Sequence, residues 1–139
     1  MSSPQTDLTG LLGDDAAQHP GATEAQIDAV ERRLGVKLPD DLRRFLRWSN
    51  GWEGTFRASW LVVWSTDLIN ELGQGEIEGL VSIGGDGGLE CYTLDYRTGS
   101  FSGVVSFDEN SSDPADMWPI ATGFTEALLR LGDQPAGPW

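Results

Sequence analysis

The run from Gly21 to Gly51, GATEAQIDAVERRLGVKLPDDLRRFLRWSNG, constrains the fold more than any other stretch, because start signals, apolar spacing and stop signals agree along it. Thr23 and Gln26 stand at the capping-box spacing, where each side chain satisfies a backbone amide that a first helical turn leaves without a partner. Ile27, Val30 and Leu34 then fall on one face. Gly35 suits the left-handed conformation that ends a helix, which would fold Val36 back on Val30. A second helix opens at Pro39, whose fixed φ and missing N–H fit a first turn. Asp40 and Asp41 lie near its N-terminus and Arg43, Arg44 and Arg47 farther along, each opposing the macrodipole by about 0.3–1 kcal/mol when exposed. Leu42, Phe45 and Leu46 form its apolar stripe, and Asn50-Gly51 marks its exit.

After Gly51 the spacing becomes strand-like. SWLVVW, from Ser59 to Trp64, is apolar on both faces, which predicts a central strand covered on both sides with Trp60 or Trp64 in the core. Asp67 to Leu72 reads as a short helix capped by Ser65 or Thr66, with Leu68, Ile69 and Leu72 facing inward and Gly73 and Gly75 ending it. Strands are expected at Leu80 to Ile83, Leu89 to Tyr96 and Val104 to Phe107, the last two joined by a hairpin at Arg97 to Gly99. Asp108 to Pro119 reads as a polar loop, followed by a last amphipathic helix capped by Thr122, with Phe124, Leu128 and Leu131 inward. Helices at the two ends of a run of hairpin-connected strands predict an α+β fold. The expected architecture is a single domain with a mostly antiparallel sheet, an N-terminal helix pair, a short middle helix and a C-terminal helix. Residues 1–20 read as a flexible N-terminal tail, or a short helix on the domain edge, and 133–139 as a C-terminal tail, leaving the domain at 21–132.

At 139 residues such a domain can bury a core without metal or disulfide staples. The N-terminus lacks a basic region followed by an apolar core, and no window approaches the roughly 18 apolar residues of a membrane span. A cytoplasmic protein is expected. The lone cysteine, Cys91, has no internal partner and reads as a structural thiol in a strand. Net charge is −13, and it is unevenly spread. From Glu24 to Gly51 six basic residues face five acidic ones, whereas from Trp52 onward 14 acidic residues face three basic ones. So negative a surface repels nucleic-acid phosphates and attracts basic partners, although the same imbalance also serves solubility.

The sequence carries no credible catalytic set. The only histidine, His19, lies in the expected tail, where a triad could not hold it. The glycine-rich turn Gly84-Gly85-Asp86-Gly87-Gly88 lacks the order of a phosphate loop, precedes a strand rather than a helix, and carries Asp86 and Glu90, which repel phosphate. Asp108, Asn110, Ser112 and Asp116 resemble a calcium loop only loosely, because Asp113 stands where the turn glycine belongs and Pro119 where a glutamate belongs. One cysteine and one histidine leave zinc unsupported. Carboxylate pairs are too common here to single out a hydrolase site. No cofactor and no metal is expected. The six tryptophans are more telling, since Trp is both a core residue and a frequent binding anchor. Trp52 and Trp118, each in a polar turn, are the candidates for exposed contacts.

The helix pair with its corner, matching at Gly35, Leu38, Pro39, Asp40, Phe45, Leu46, Asn50 and Gly51, resembles the SUKH superfamily (Smi/Knr-type domain). The strand into Ile83 to Gly88, the strand ending at Asp95 and the closing helix after Ile120 fit the same pattern in order, so the resemblance covers roughly residues 21–132. It implies, for the bacterial immunity-protein branch, a non-enzymatic partner that neutralises a cognate polymorphic toxin, often a nuclease or deaminase, with a basic surface. On that implication Asp86, Glu90, Asp108, Glu109, Asp113 and Asp116 form the charged surface and Trp52 or Trp118 the apolar anchor. The alternative implied by the resemblance is a regulatory or scaffold module of the fungal Smi/Knr type with no toxin partner. Neither reading involves nucleic acid or membrane.

Overall fold

The computed structural model describes residues 18–57, 59–75, 77–88, 90–108 and 113–133. Helices α1 (Glu24–Leu34) and α2 (Asp40–Trp48) form the expected pair. Thr23 accepts from the Gln26 amide at 3.1 Å while the Gln26 side chain accepts from the Thr23 amide at 2.8 Å, completing the capping box. Gly35 ends α1 at φ 69°, and the amides of Gly35 and Val36 both donate to the Glu31 carbonyl.

Six strands follow: β1 (Trp52–Phe56), β2 (Ser59–Val63), β3 (Leu80–Gly85), β4 (Glu90–Asp95), β5 (Gly103–Asp108) and β6 (Trp118–Ala121). They make one antiparallel sheet in sequential order, with a bulge between Ser82 and Gly84. A short helix α3 (Thr66–Leu72) joins β2 to β3, and α4 (Phe124–Asp133) closes the fold. The fold is therefore α+β, a single domain as expected.

The core lies between one face of the sheet and the helices. Phe45 of α2 packs edge-on against Phe124 of α4, ring centroids 5.7 Å apart, and both rings are buried. Ile27, Leu42 and Leu46 join Leu61, Val63, Tyr92, Leu94 and Val104 from the sheet in the same cluster. Asp41 of α2 accepts the Thr125 amide at 2.8 Å, so a carboxylate from another helix covers the positive end of α4. Thr122 does not have the capping role expected of it. Phe124 is the first helical residue, which leaves Gly123 in the cap position.

Several expectations are corrected. Strands β1 and β6 occupy stretches read as loop, because Glu53-Gly54 and Pro119 weaken a strand signal that edge positions tolerate. β2 lies next to the edge, and only one of its faces is covered: Leu61 and Val63 are buried, Trp60 is 46% exposed, and Trp64 packs partly against the core. In α3 only Ile69 of the three apolar residues faces inward, whereas Leu68 and Leu72 are exposed, because two turns of helix offer the core a single narrow face.

The expected tails lie outside the described residues at 1–17 and 134–139, and residues 18–20 are tied to the domain. The Gln18 side chain donates to the Glu53 carbonyl and accepts from the Glu53 amide on the edge of β1, while the Gln18 and His19 amides reach the Ser49 hydroxyl. Gly21 is needed just after: a Cβ there would stand 1.7 Å from the Arg47 carbonyl oxygen. The Asn50-Gly51 exit of α2 is structural too. The Asn50 side chain accepts from the Thr66 amide at 2.8 Å and donates to its hydroxyl at 3.2 Å, fastening α2 to the start of α3.

Candidate partner-binding surface

A sequential antiparallel meander sends alternate connections to the same end of the sheet. The β1–β2, β3–β4 and β5–β6 connections therefore share one end, and the last two carry most of the carboxylates singled out above. In the β3–β4 turn Asp86 is fixed by its own chain: its Oδ1 accepts the amides of Gly88 at 2.8 Å and Glu90 at 3.3 Å, and its amide donates to the Glu90 carbonyl. Gly87 holds the turn open at φ 81°.

Glu90 and Asp108 are direct cross-strand partners on β4 and β5. Like charges placed opposite each other cost stability, by roughly 0.2–1 kcal/mol on the scale of such pairs. The buried Ser106, on the same face as both, offsets part of this by donating its hydroxyl to Glu90 Oε2. Ser106 is in turn paired with Trp118 on β6, a residue that is 39% exposed. Across three adjacent strands, Glu90, Asp108 and Trp118 are thus brought to one corner of the molecule. Asp113 accepts the Ala115 amide at 2.9 Å and opens the 3-10 turn Pro114–Asp116, which places Asp113 and Asp116 immediately before Trp118. Glu109 lies outside the described residues.

Tyr92 reports on the local field. It shares the face of Glu90, and its phenol is pushed well above its ordinary range, first by burial and then by the negative charges of Asp86 and Glu90. What the surface offers is acceptors and negative potential around an exposed ring. His19, the chain's only histidine, lies elsewhere, lining a groove of about 600 Å³ at the opposite end of β1 with Asn50, Trp64 and Asp67. Among the described residues no group of three or more His, Cys, Asp or Glu could hold a metal ion, and no helix is long and apolar enough to cross a membrane.

Trp52 does not share in this surface. It opens β1 at the far end of the sheet, faces inward opposite Val63 and is 6% exposed, so the exposed contact expected of it is corrected. A strand that alternates between core and solvent turns Trp52 and Phe56 to the core and Glu53 and Thr55 away from it. The exposed tryptophan that sequence reasoning missed is Trp60. Its apolar neighbours hid it, and only its exposure on the face away from the helices reveals it.

A comparison with curated proteins finds no match. The model of the SMI1/KNR4 family (SUKH-1) matches residues 21–130, which spans the helix pair, the whole sheet and nearly all of α4. The chain therefore belongs to the SMI1/KNR4 family (SUKH-1).

Proposed function

We infer that this protein is a non-enzymatic, cytoplasmic immunity protein that binds and neutralises a cognate polymorphic toxin. The observation that carries the reading is that the β3–β4 and β5–β6 connections bring Asp86, Glu90, Asp108, Asp113 and Asp116 to the same end of the sheet as the exposed Trp118, with Glu90 and Asp108 in direct cross-strand opposition. A group of carboxylates at the same end of the sheet as an exposed ring complements a basic partner, which the charge steers and the ring holds. A toxin with a basic cleft, such as a nuclease or deaminase, fits that requirement. Long-range attraction would speed encounter, and the Trp118 ring would lengthen the life of the complex. An interface of ordinary size buries ~1,600 Å² in total.

The test begins with the tagged protein used to capture its partner from the source cells. The captured protein is expected to arrest growth when expressed alone and to be harmless when co-expressed with this chain. A captured partner that is harmless on its own overturns the immunity reading in favour of a regulatory module.

A further inference from the structure

Among the described residues all four helices pack on one face of the sheet, and the opposite face is exposed at its β1–β2 side. There Trp60 stands opposite Thr55, and Val62 opposite Glu53. Trp60 is 46% exposed, Glu53 and Thr55 are exposed, and Val62 is half-buried. The indole is nevertheless held in place. A Cβ on Gly87 would lie 2.9 Å from its Cδ1 and 3.2 Å from its Nε1, so the bare backbone of the β3–β4 turn rests against the ring edge. That turn is itself fixed by Asp86, as described above. A large aromatic ring that is exposed yet already ordered loses little conformational freedom on binding, which is the condition under which tryptophan dominates an interface.

The charges around the ring say what it suits. Glu53, opposite Val62, shares the outer face with it on β1, and Asp86 adjoins Gly87 in the turn that meets the ring, while the cation nearest in sequence, Arg57, is engaged by Asp133 at the end of α4 at 2.8 Å. An indole face bordered by carboxylates is complementary to a guanidinium, which can stack on the ring and pair with the acid at once. We propose that the outer face of β1 and β2, centred on Trp60 and bordered by Glu53 and Asp86, receives an arginine-bearing segment of the protein partner. The partner's identity as a toxin rests on the reading above; the chemistry of the contact does not. Asp86 belongs to both surfaces, so the arginine contact continues the acidic end of the sheet around to its open face.

The test uses the full chain, ¹⁵N-labelled, and an arginine-rich peptide, with a glutamate-rich peptide as control. The Trp60 indole N–H is identified as the resonance missing from Trp60→Ala. The arginine peptide is expected to shift that resonance, the control to leave it still, and Trp60→Ala to bind the arginine peptide about fivefold more weakly. Because the ring is exposed, its removal leaves the core intact, and an unchanged dispersion of the other amide resonances checks this. A shift confined to the Trp118 indole, or equal affinity of Trp60→Ala and wild type, overturns the proposal while leaving the toxin reading standing. Capture of a harmless partner overturns the toxin reading and leaves the peptide result as it is.

Discussion

The helix pair and the acidic end of the sheet treat charge in opposite ways. Between α1 and α2, Arg43 binds Glu31 at 2.7 Å and Glu24 at 2.8 Å, with Asp28 at 3.8 Å, and Arg47 binds Glu24. Hydrogen bonding to Glu31 raises the affinity of Arg43 for its proton, and Arg47 and Arg43 hold the Glu24 carboxyl below its usual range. Charge there is satisfied inside the fold. At the sheet end, Glu90 faces Asp108 across two strands, and the charge of Asp86 falls on the same buried phenol as that of Glu90. On the function proposed above, the difference separates residues that hold the domain together from residues that meet a partner. Changes on the helix side should therefore alter stability and spare recognition, and changes at the sheet end should do the reverse.

The sharpest way to break this division is Phe45→Ala. The ring is 2% exposed and meets Trp48 and Phe124 edge-on, so its loss should cost about 3–5 kcal/mol in urea unfolding. The fraction still folded should bind its partner at the wild-type rate. Arg43→Met should cost roughly 1–3 kcal/mol, because it strips charge-assisted hydrogen bonds from Glu31, which also accepts the Leu38 amide. A loss near zero would mean that the pairing on the helix side is ornamental, and the comparison would fail there.

Tyr92→Phe probes the field at the sheet end through pH. A phenol whose folded pKa is raised lends stability that is whole below the unfolded value of about 10 and is lost as pH rises through the folded value. Wild-type stability should thus decline in alkaline solution, and the variant should decline less steeply. Equal slopes would show that Tyr92 does not carry the field ascribed to it. The smallest effect on stability belongs to the triple change Asp108→Asn, Asp113→Asn and Asp116→Asn, within about 0.5 kcal/mol per site for surface positions. Asparagine keeps the oxygen that Asp113 offers the Ala115 amide. The association rate with a basic partner should nevertheless drop about tenfold at low salt, and the gap should close as salt rises. A rate unmoved by the substitutions would remove these carboxylates from the steering role.

The helix pair was legible because its determinants are local. Thr23, Gln26 and Gly35 act within a few residues of one another, and each is found in the role its neighbours predict, whereas Pro39 stands one position earlier than expected, in the cap position of α2 with an extended ψ of 146° rather than in its first turn. The strands around residues 80–108 were legible for the same reason, through alternation and turn residues. Trp52 and Trp60 were misplaced because burial on a strand depends on which face meets a second layer. β2 is apolar on both faces, so nothing in it announces that only one is covered. The gathering of Glu90, Asp108 and Trp118 was likewise hidden, since those residues meet only through pairings of β4 with β5 and β5 with β6.

By itself, then, the sequence determined the four helices and four of the six strands described, their order, the excess of negative charge after Trp52 and the family. Tertiary structure alone decided which end of the sheet collects that charge, which tryptophan faces outward, and that Asp41 rather than Thr122 covers the start of α4. The physical reason is range. Caps and periodicity act over a few residues of chain, whereas strand register and layer packing join residues many positions apart, and only the folded backbone brings those together.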